Sequence, residues 1–340
     1  MASISENLDK IAVTGDSRIR SEVAFLNGKS YGYLIAEPES GFDRTILLIH
    51  GFPDLSMGWR YQIPRFLELG FRVVCPDCLG YGRSDAPTDL LEPYTNKSQA
   101  NDFHELCKSL GCTNVVVGAH DWGCCIAYRF ALEYPSFVTH LFTLAIPYIP
   151  VSEKFISQDE LVKFMPNLGY QLQWGSKEGI IESYTKDQIG IRNFLNAVYA
   201  GRTPDGELGV SMESGADLSI LPTLLRSPLV SEDELDFYVR EYSRNGLHGP
   251  CNYYRTRKAN FEADRSLLRV ADGVYIKCPV LFIRALGDTS ATDELVAQMP
   301  SSIPNLKAMN VDASHWLLWE KPTEVNGLIT EWMKDQGLVN

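Results

Sequence analysis

Apolar residues in the first half of the chain fall in short, nearly continuous runs between polar, glycine-containing stretches, and this spacing predicts strands. Glu22–Leu26 and Ser30–Ala36 flank Asn27-Gly28, a pair whose tolerance of left-handed backbone makes it a strong hairpin signal. Arg44–Ile49, Phe71–Cys75 and Val115–Val117 run apolar without alternation, as strands covered on both faces do. Phe137–Ile146 reads as a further strand. Between the runs the period changes. Trp59, Ile63, Phe66 and Leu67 recur at helical spacing before Gly70. Asn96–Leu110 places Phe103, Leu106 and Leu110 on one face and closes at Gly111. A helix after Val117 extends to about Tyr134, where Pro135 stops it. Strand and helix thus alternate, which predicts an α/β class with a mostly parallel, doubly wound sheet.

From about 147 to 275 the alternation stops. Helical patterns (Leu161–Phe164, Ile191–Val198, Glu232–Tyr242) are interrupted by Pro166, Gly169, Gly201, Pro204, Pro222, Pro228 and Pro250. The α/β pattern resumes with strands at Val280–Arg284 and Leu306–Val311. A last helix starts at Pro322 and has Val325, Leu328, Ile329 and Trp332 on one face. The expected organisation is a core of residues 1–146 and 276–340, opened by a polar lead-in over residues 1–20, with a helical cap inserted over 147–275.

Composition narrows the function. The 340 residues are 45% hydrophobic and 22% charged, ordinary for a globular chain. Acidic residues outnumber basic ones 43 to 31, for a net charge of -12, which argues against nucleic acid and anionic membrane surfaces as partners. No secretory pattern opens the chain and no stretch of 18 apolar residues suggests a membrane span. The eight cysteines form no disulfide framework. Cys75-Pro76-Asp77-Cys78 lacks a second Cys or His pair at metal spacing, so neither a metal nor a redox role is expected for it. A reduced, soluble, cytoplasmic protein is the simplest expectation. Gly80-Tyr81-Gly82 lacks the third glycine and following helix of a dinucleotide fingerprint, so it is not read as one.

In a parallel sheet, ligands bind beyond the carboxyl ends of the strands. Four groups fall just past such ends: His50-Gly51-Phe52-Pro53, Asp121, Asp288 and His315. Asp121 sits between an apolar strand and a helix, with small residues at 119, 123 and 124. That is the geometry of a nucleophile elbow carrying a carboxylate. Taken singly, Asp121 could cap its helix, Asp288 could be a turn residue and His315 could be a packed core histidine. Together they stand in the chain order nucleophile, acid, histidine. His120 is expected to point away from the nucleophile, and His104 to be solvated on a surface helix.

These strings resemble those of the epoxide hydrolases of the α/β-hydrolase fold over nearly the whole chain. His50-Gly51-Phe52-Pro53 is similar to that family's oxyanion loop, and His120-Asp121-Trp122-Gly123 to its nucleophile motif. Asp77 to Ser84 resembles its D-x-x-G-x-G-x-S turn, and Ser314-His315-Trp316 its histidine loop. Gly169-Tyr170-Gln171-Leu172 and Gly249-Pro250-Cys251-Asn252-Tyr253-Tyr254-Arg255 resemble the cap segments that carry two ring-opening tyrosines. The resemblance implies catalytic roles for Asp121, Asp288, His315, Tyr170 and Tyr254. It implies an oxyanion and substrate-binding set of His50, Gly51, Phe52, Pro53, Trp122 and Trp316. A small-molecule epoxide would be converted to a vicinal diol without metal or cofactor. Three departures stand out: Ala119 replaces a usual glycine, Cys124 replaces a smaller residue, and Thr289-Ser290-Ala291 is more polar than expected beside a lipid pocket. The alternatives are a haloalkane dehalogenase-like hydrolase, a cyclase that opens an epoxide with the substrate's own hydroxyl, and a non-catalytic receptor. Oligomeric state is left open, with a homodimer among the options.

Overall fold

The computed structural model describes residues 8–269 and 273–340. Residues 1–7 of the expected lead-in, and 270–272 of the expected cap, lie outside them. The chain opens with β1 (Ile19–Leu26) and β2 (Lys29–Ala36), an antiparallel hairpin in which Asn27 and Gly28 both take positive φ. β3 (Arg44–Ile49), α1 (Ile63–Glu68), β4 (Phe71–Pro76), α2 (Asn96–Ser109), β5 (Val115–His120), α3 (Trp122–Glu133) and β6 (Val138–Leu144) follow. The helix expected from Trp59 is broken. Ser56–Trp59 form a single tight turn, and α1 begins only at Ile63 with Pro64 in its first turn. Trp59 and Phe66 are buried nonetheless.

Next come α4 (Gln158–Phe164), α5 (Tyr170–Trp174), α6 (Ile180–Tyr184), α7 (Gln188–Val198), the ribbon of β7 (Val210–Ser211) and β8 (Gly215–Ala216), α8 (Glu232–Tyr242), α9 (His248–Arg255) and α10 (Arg257–Asp264). The three helical patterns read from the sequence correspond to α4, α7 and α8. The others are only five to eight residues long, so they carry too little periodicity to stand out. β9 (Val280–Ala285), α11 (Asp293–Gln298), β10 (Leu306–Val311), α12 (Leu317–Glu320) and α13 (Pro322–Asp335) complete the chain.

Eight strands form one sheet in the order β1-β2-β4-β3-β5-β6-β9-β10. β1 and β2 are antiparallel additions, and the rest pair parallel. β4 and β5 are buried throughout, and β3 after its first residue, because helices cover both faces. The order reverses beside β3: the chain goes to β4 on one side and returns to β5 on the other. Such a switch point opens a crevice at the carboxyl ends of the two strands. His50 follows β3 there, and Asp121 follows β5.

Candidate active site

Asp121 occupies the sharp corner between β5 and α3 with φ 53° and ψ -127°. This backbone is sparsely populated for a residue with a Cβ and costs on the order of 1–3 kcal/mol. Close packing holds it. Any side chain at Gly123 would collide with the carbonyls of Ile49 and His50. Ala119 and Cys124 are accommodated by full burial, and the Cys124 thiol donates to the Leu144 carbonyl at 3.3 Å. The Asp121 side chain makes no capping bond to α3. Its Oδ1 instead accepts the Phe52 N–H at 2.7 Å.

The loop after β3 is shaped for that bond. A side chain at Gly51 would strike Asp121 Oδ1 and the Trp122 nitrogen. His50 is buried, and burial pushes its pKa down to about 4, so the ring is neutral. Its Nδ1 donates to the Gly51 carbonyl and its Nε2 accepts the Cys78 N–H, both at 2.9 Å. His50 therefore braces the loop and has no ring nitrogen free for a ligand. The Pro53 carbonyl accepts the Tyr199 hydroxyl at 2.6 Å.

His315 lies between the two acids. Its Nδ1 is 2.6 Å from Asp288 Oδ2, and its Nε2 is 3.5 Å from Asp121 Oδ2. The Ser290 hydroxyl and N–H both donate to Asp288 Oδ1, at 2.6 and 2.9 Å. Ser290 is thus the anchor of the acid, which accounts for polarity just after Asp288. His120 does more than point away. Burial lowers its pKa to about 3, and its Nε2 donates to the His315 carbonyl at 2.9 Å, fastening the histidine loop to the end of β5. Trp316 stacks on Trp319, and its indole N–H donates to the Val198 carbonyl at 3.0 Å. The structure thus ties Trp316 to the end of α7, with its ring edge-on to His315.

A cavity of about 380 Å³ opens above Asp121, lined by Trp122, Ile146, Leu161, Met165, Tyr170 and Tyr254 among others. Helices α4, α5, α9 and α10 supply most of its upper wall. Many tyrosines come from this helical segment, and their hydroxyl partners separate them. Tyr199, Tyr238 and Tyr242 donate to Pro53 O, Asp54 Oδ1 and Asp54 O. Tyr253 donates to Leu79 O at 2.9 Å and to Gln99 Oε1 at 2.8 Å. Among the described residues the one hydrogen bond to either hydroxyl of Tyr170 and Tyr254 is that from Gln171 Nε2 to Tyr170, at 3.2 Å and within the helical segment. Their rings pack edge-on, 6.0 Å apart, against Trp174. Of the adjacent pair, Tyr254 is the one whose hydroxyl is not spent on the backbone below.

Comparison with known proteins agrees with this architecture. The alpha/beta hydrolase fold family matches residues 44–174. An epoxide hydrolase of Neurospora crassa, srdG, is 37% identical over 317 residues, covering 90% of this chain and 92% of the relative. This chain belongs to the epoxide hydrolases. A bifunctional epoxide hydrolase 2 of Sus scrofa is 31% identical, and the chain spans about half of it, 55%. The crystal structure of epoxide hydrolase A from Mycobacterium thermoresistibile superposes with a TM-score of 0.79 at 25% identity, covering 93% of this chain and 98% of that one.

Electrostatics sets the resting state of this epoxide hydrolase. Burial would lower the His315 pKa, but the Asp288 charge and hydrogen bond, with Asp121 and Asp54 behind them, raise it to about 9. Burial would raise Asp288, but His315 and Ser290 hold it at about 2. Burial pushes Asp121 up, and the His315 charge and the N–H groups of Phe52 and Trp122 pull it back. Burial also raises Tyr170 and Tyr254, with the Asp121 charge contributing to both, so both phenols stay protonated.

Asp54 was not singled out by its sequence context, because a lone loop acid has no pattern to betray it. It is buried, and burial pushes its pKa up to about 7 against the bonds from Tyr238 and Leu55. His104 also departs from expectation. It stacks on Tyr134 at 3.9 Å and is half-buried rather than solvated. Among the described residues, no group of three or more His, Cys, Asp or Glu could hold a metal, and no helix is long and apolar enough to cross a membrane.

Proposed function

We propose that this epoxide hydrolase works in two steps through a covalent ester on Asp121, beneath a cap formed by residues 147–275. What carries the reading is how the Asp121 carboxylate is shared. Oδ1 takes the Phe52 N–H at 2.7 Å, Oδ2 faces His315 Nε2 at 3.5 Å, and the group lines the same cavity as Tyr170 and Tyr254.

A carboxylate oxygen of Asp121 attacks one ring carbon of the epoxide. A new C–O bond forms as the ring C–O bond breaks, and Tyr170 or Tyr254 protonates the departing oxygen. Esterification removes the Asp121 charge, one of the influences that keep His315 protonated. The imidazolium then gives up its proton, which restores the phenol. Neutral His315, oriented by Asp288, takes a proton from a water that attacks the ester carbonyl. The N–H groups of Phe52 and Trp122 stabilise the resulting oxyanion, a contribution on the order of 3–4 kcal/mol per donor in other hydrolases. Collapse releases the diol and regenerates the carboxylate.

His315→Gln tests the sequence of steps. The variant should open one equivalent of styrene oxide and stall, with the peptide containing Asp121 heavier by the mass of the substrate. A folded, substrate-binding variant that carries no adduct would overturn the ester. A wild-type single turnover in heavy-oxygen water should place the label in Asp121, whereas direct attack by water would place it only in the diol.

A further inference from the structure

The amino ends of β3, β4 and β5 lie at the edge of the sheet opposite the catalytic groups, and a second polar cluster forms there. It begins with the end of α2. Gly111, at φ 78°, donates its N–H to Lys108 O at 2.9 Å, and Cys112 donates its N–H to Cys107 O at 3.0 Å. This pair of bonds is a Schellman motif, which brings the third-last helical residue against the second residue beyond the cap. Here both of those residues are cysteines, so the motif sets Cys107 beside Cys112.

Arg72 reaches the Cys112 sulfur through Nη2 at 3.1 Å. Thr45 and Arg72 are paired across β3 and β4, and Arg72 Nε donates to Thr45 Oγ1 at 3.0 Å. The Phe42 ring covers the guanidinium at 4.5 Å. Among the described residues Arg72 makes no ion pair with a carboxylate, so the anion it faces is the sulfur. A cation without a carboxylate partner, in hydrogen-bond reach of a half-exposed sulfur, is a setting that favours a thiolate. Cys112 is half-exposed and Cys107 is buried behind it.

We propose that Cys112 is a peroxide-reactive thiolate and that Cys107 is its resolving thiol. The Cys112 sulfur attacks a hydroperoxide oxygen. The S–O bond forms, the O–O bond breaks, and the leaving alkoxide, or hydroxide when the oxidant is hydrogen peroxide, takes a proton from water. Cys107 then attacks the Cys112 sulfenic acid. The S–S bond forms, and the hydroxyl leaves as water with the Cys107 proton. Two thiols are oxidised by two electrons and one peroxide is reduced. The neighbouring Cys107 thiol, Thr45 hydroxyl and Arg72 guanidinium favour the charged sulfur, bringing the Cys112 pKa down to about 6 against its burial. The same neighbour, with burial, pushes the Cys107 thiol up and holds it protonated until Cys112 has reacted.

The test uses the whole protein and hydrogen peroxide near one equivalent. Two of the eight thiols should disappear, the mass should fall by two hydrogens, and a peptide map should link Cys107 to Cys112. Cys107→Ser should instead leave a sulfenic acid on Cys112 that dimedone captures. Iodoacetamide alkylation of Cys112 should change less than about threefold from pH 6.5 to 8.5, where an ordinary thiol gains roughly fiftyfold. Eight free thiols after peroxide, a first bridge elsewhere, or the ordinary rise with pH would each overturn the proposal.

Discussion

Beneath the cavity, polar groups are held by short, assigned bonds: Phe52 N–H on Asp121, Asp288 on His315, Ser290 on Asp288 and His120 on the His315 carbonyl. Above it, Tyr170, Tyr254 and Trp174 meet edge to face, and their positions come from packing. The floor sits on the ends of buried strands, where a shift of one residue would turn every side chain over. The roof sits on helices of five to eight residues, which have little stability apart from what they cover. Charge is thus placed where the backbone is least free. Shape is set where side chains can be exchanged at lower cost.

If the floor carries the chemistry, its removal should outweigh any change above it. Asp121→Ala should reduce diol formation by about 10⁴-fold or more, as loss of a nucleophile does in other hydrolases. Folding should survive, because the change keeps the Cβ and the packing of the corner and removes only a buried carboxylate. Turnover within tenfold of wild type would mean that the two walls have been ranked wrongly. The roof comes next. Replacing Tyr170 and Tyr254 together with Phe should cost about 10²–10⁴-fold, the range for general acid catalysis, and should slow adduct formation rather than ester hydrolysis. Tyr253→Phe serves as the contrast. Its hydroxyl is tied to Leu79 and Gln99, so its loss should appear in thermal stability before it appears in rate.

The same contrast separates what the sequence reveals from what it hides. The elbow is legible because Asp121's backbone forces small neighbours at fixed offsets. Asp288 and His315 are legible because each follows a recognisable strand. Tyr170 and Tyr254 are not visible in periodicity and are reached only through resemblance to known cap segments. Adjacent residues on a helix point about 100° apart, so choosing Tyr254 over Tyr253 depends on how α9 is rotated over the sheet. The burial of Asp54 and the bond from Trp316 to Val198 are likewise tertiary facts. The pairing of Cys107 with Cys112 had a signal, since a glycine just before the second cysteine closes a helix ending near the first.

A smaller effect lies within the floor itself. His315 is raised from an ordinary 6.5 to about 9, so the contribution of its pair with Asp288 to folding is complete below about pH 6.5 and fades as pH rises through about 9. On the acid side, Asp288 is lowered from an ordinary 3.8 to about 2. The contribution is present above about pH 3.8 and is lost as pH falls through about 2. Asp288→Asn should therefore lower Tm most near about pH 5 and least above about pH 9. A Tm difference that grows with alkalinity would show that His315 is not the charged partner.

The smallest effect tests whether the two walls are joined by design of contacts or merely adjacent. Tyr199, at the end of α7, gives its hydroxyl to Pro53 O at 2.6 Å, and Tyr238 and Tyr242 of α8 hold Asp54 beside it. The loop that presents the Phe52 N–H to Asp121 is therefore suspended from the roof. Tyr199→Phe removes one of these bonds and leaves a buried carbonyl unpaired, which should cost about 1–3 kcal/mol of stability. If the suspension also sets the aim of the Phe52 N–H, the ester-hydrolysis step should slow by several-fold while ring opening by Tyr170 and Tyr254 keeps its rate. Separate measurement of the two half-reactions decides the point. Equal loss in both would mean that Tyr199 supports the fold as a whole, and that the roof does not position the oxyanion loop.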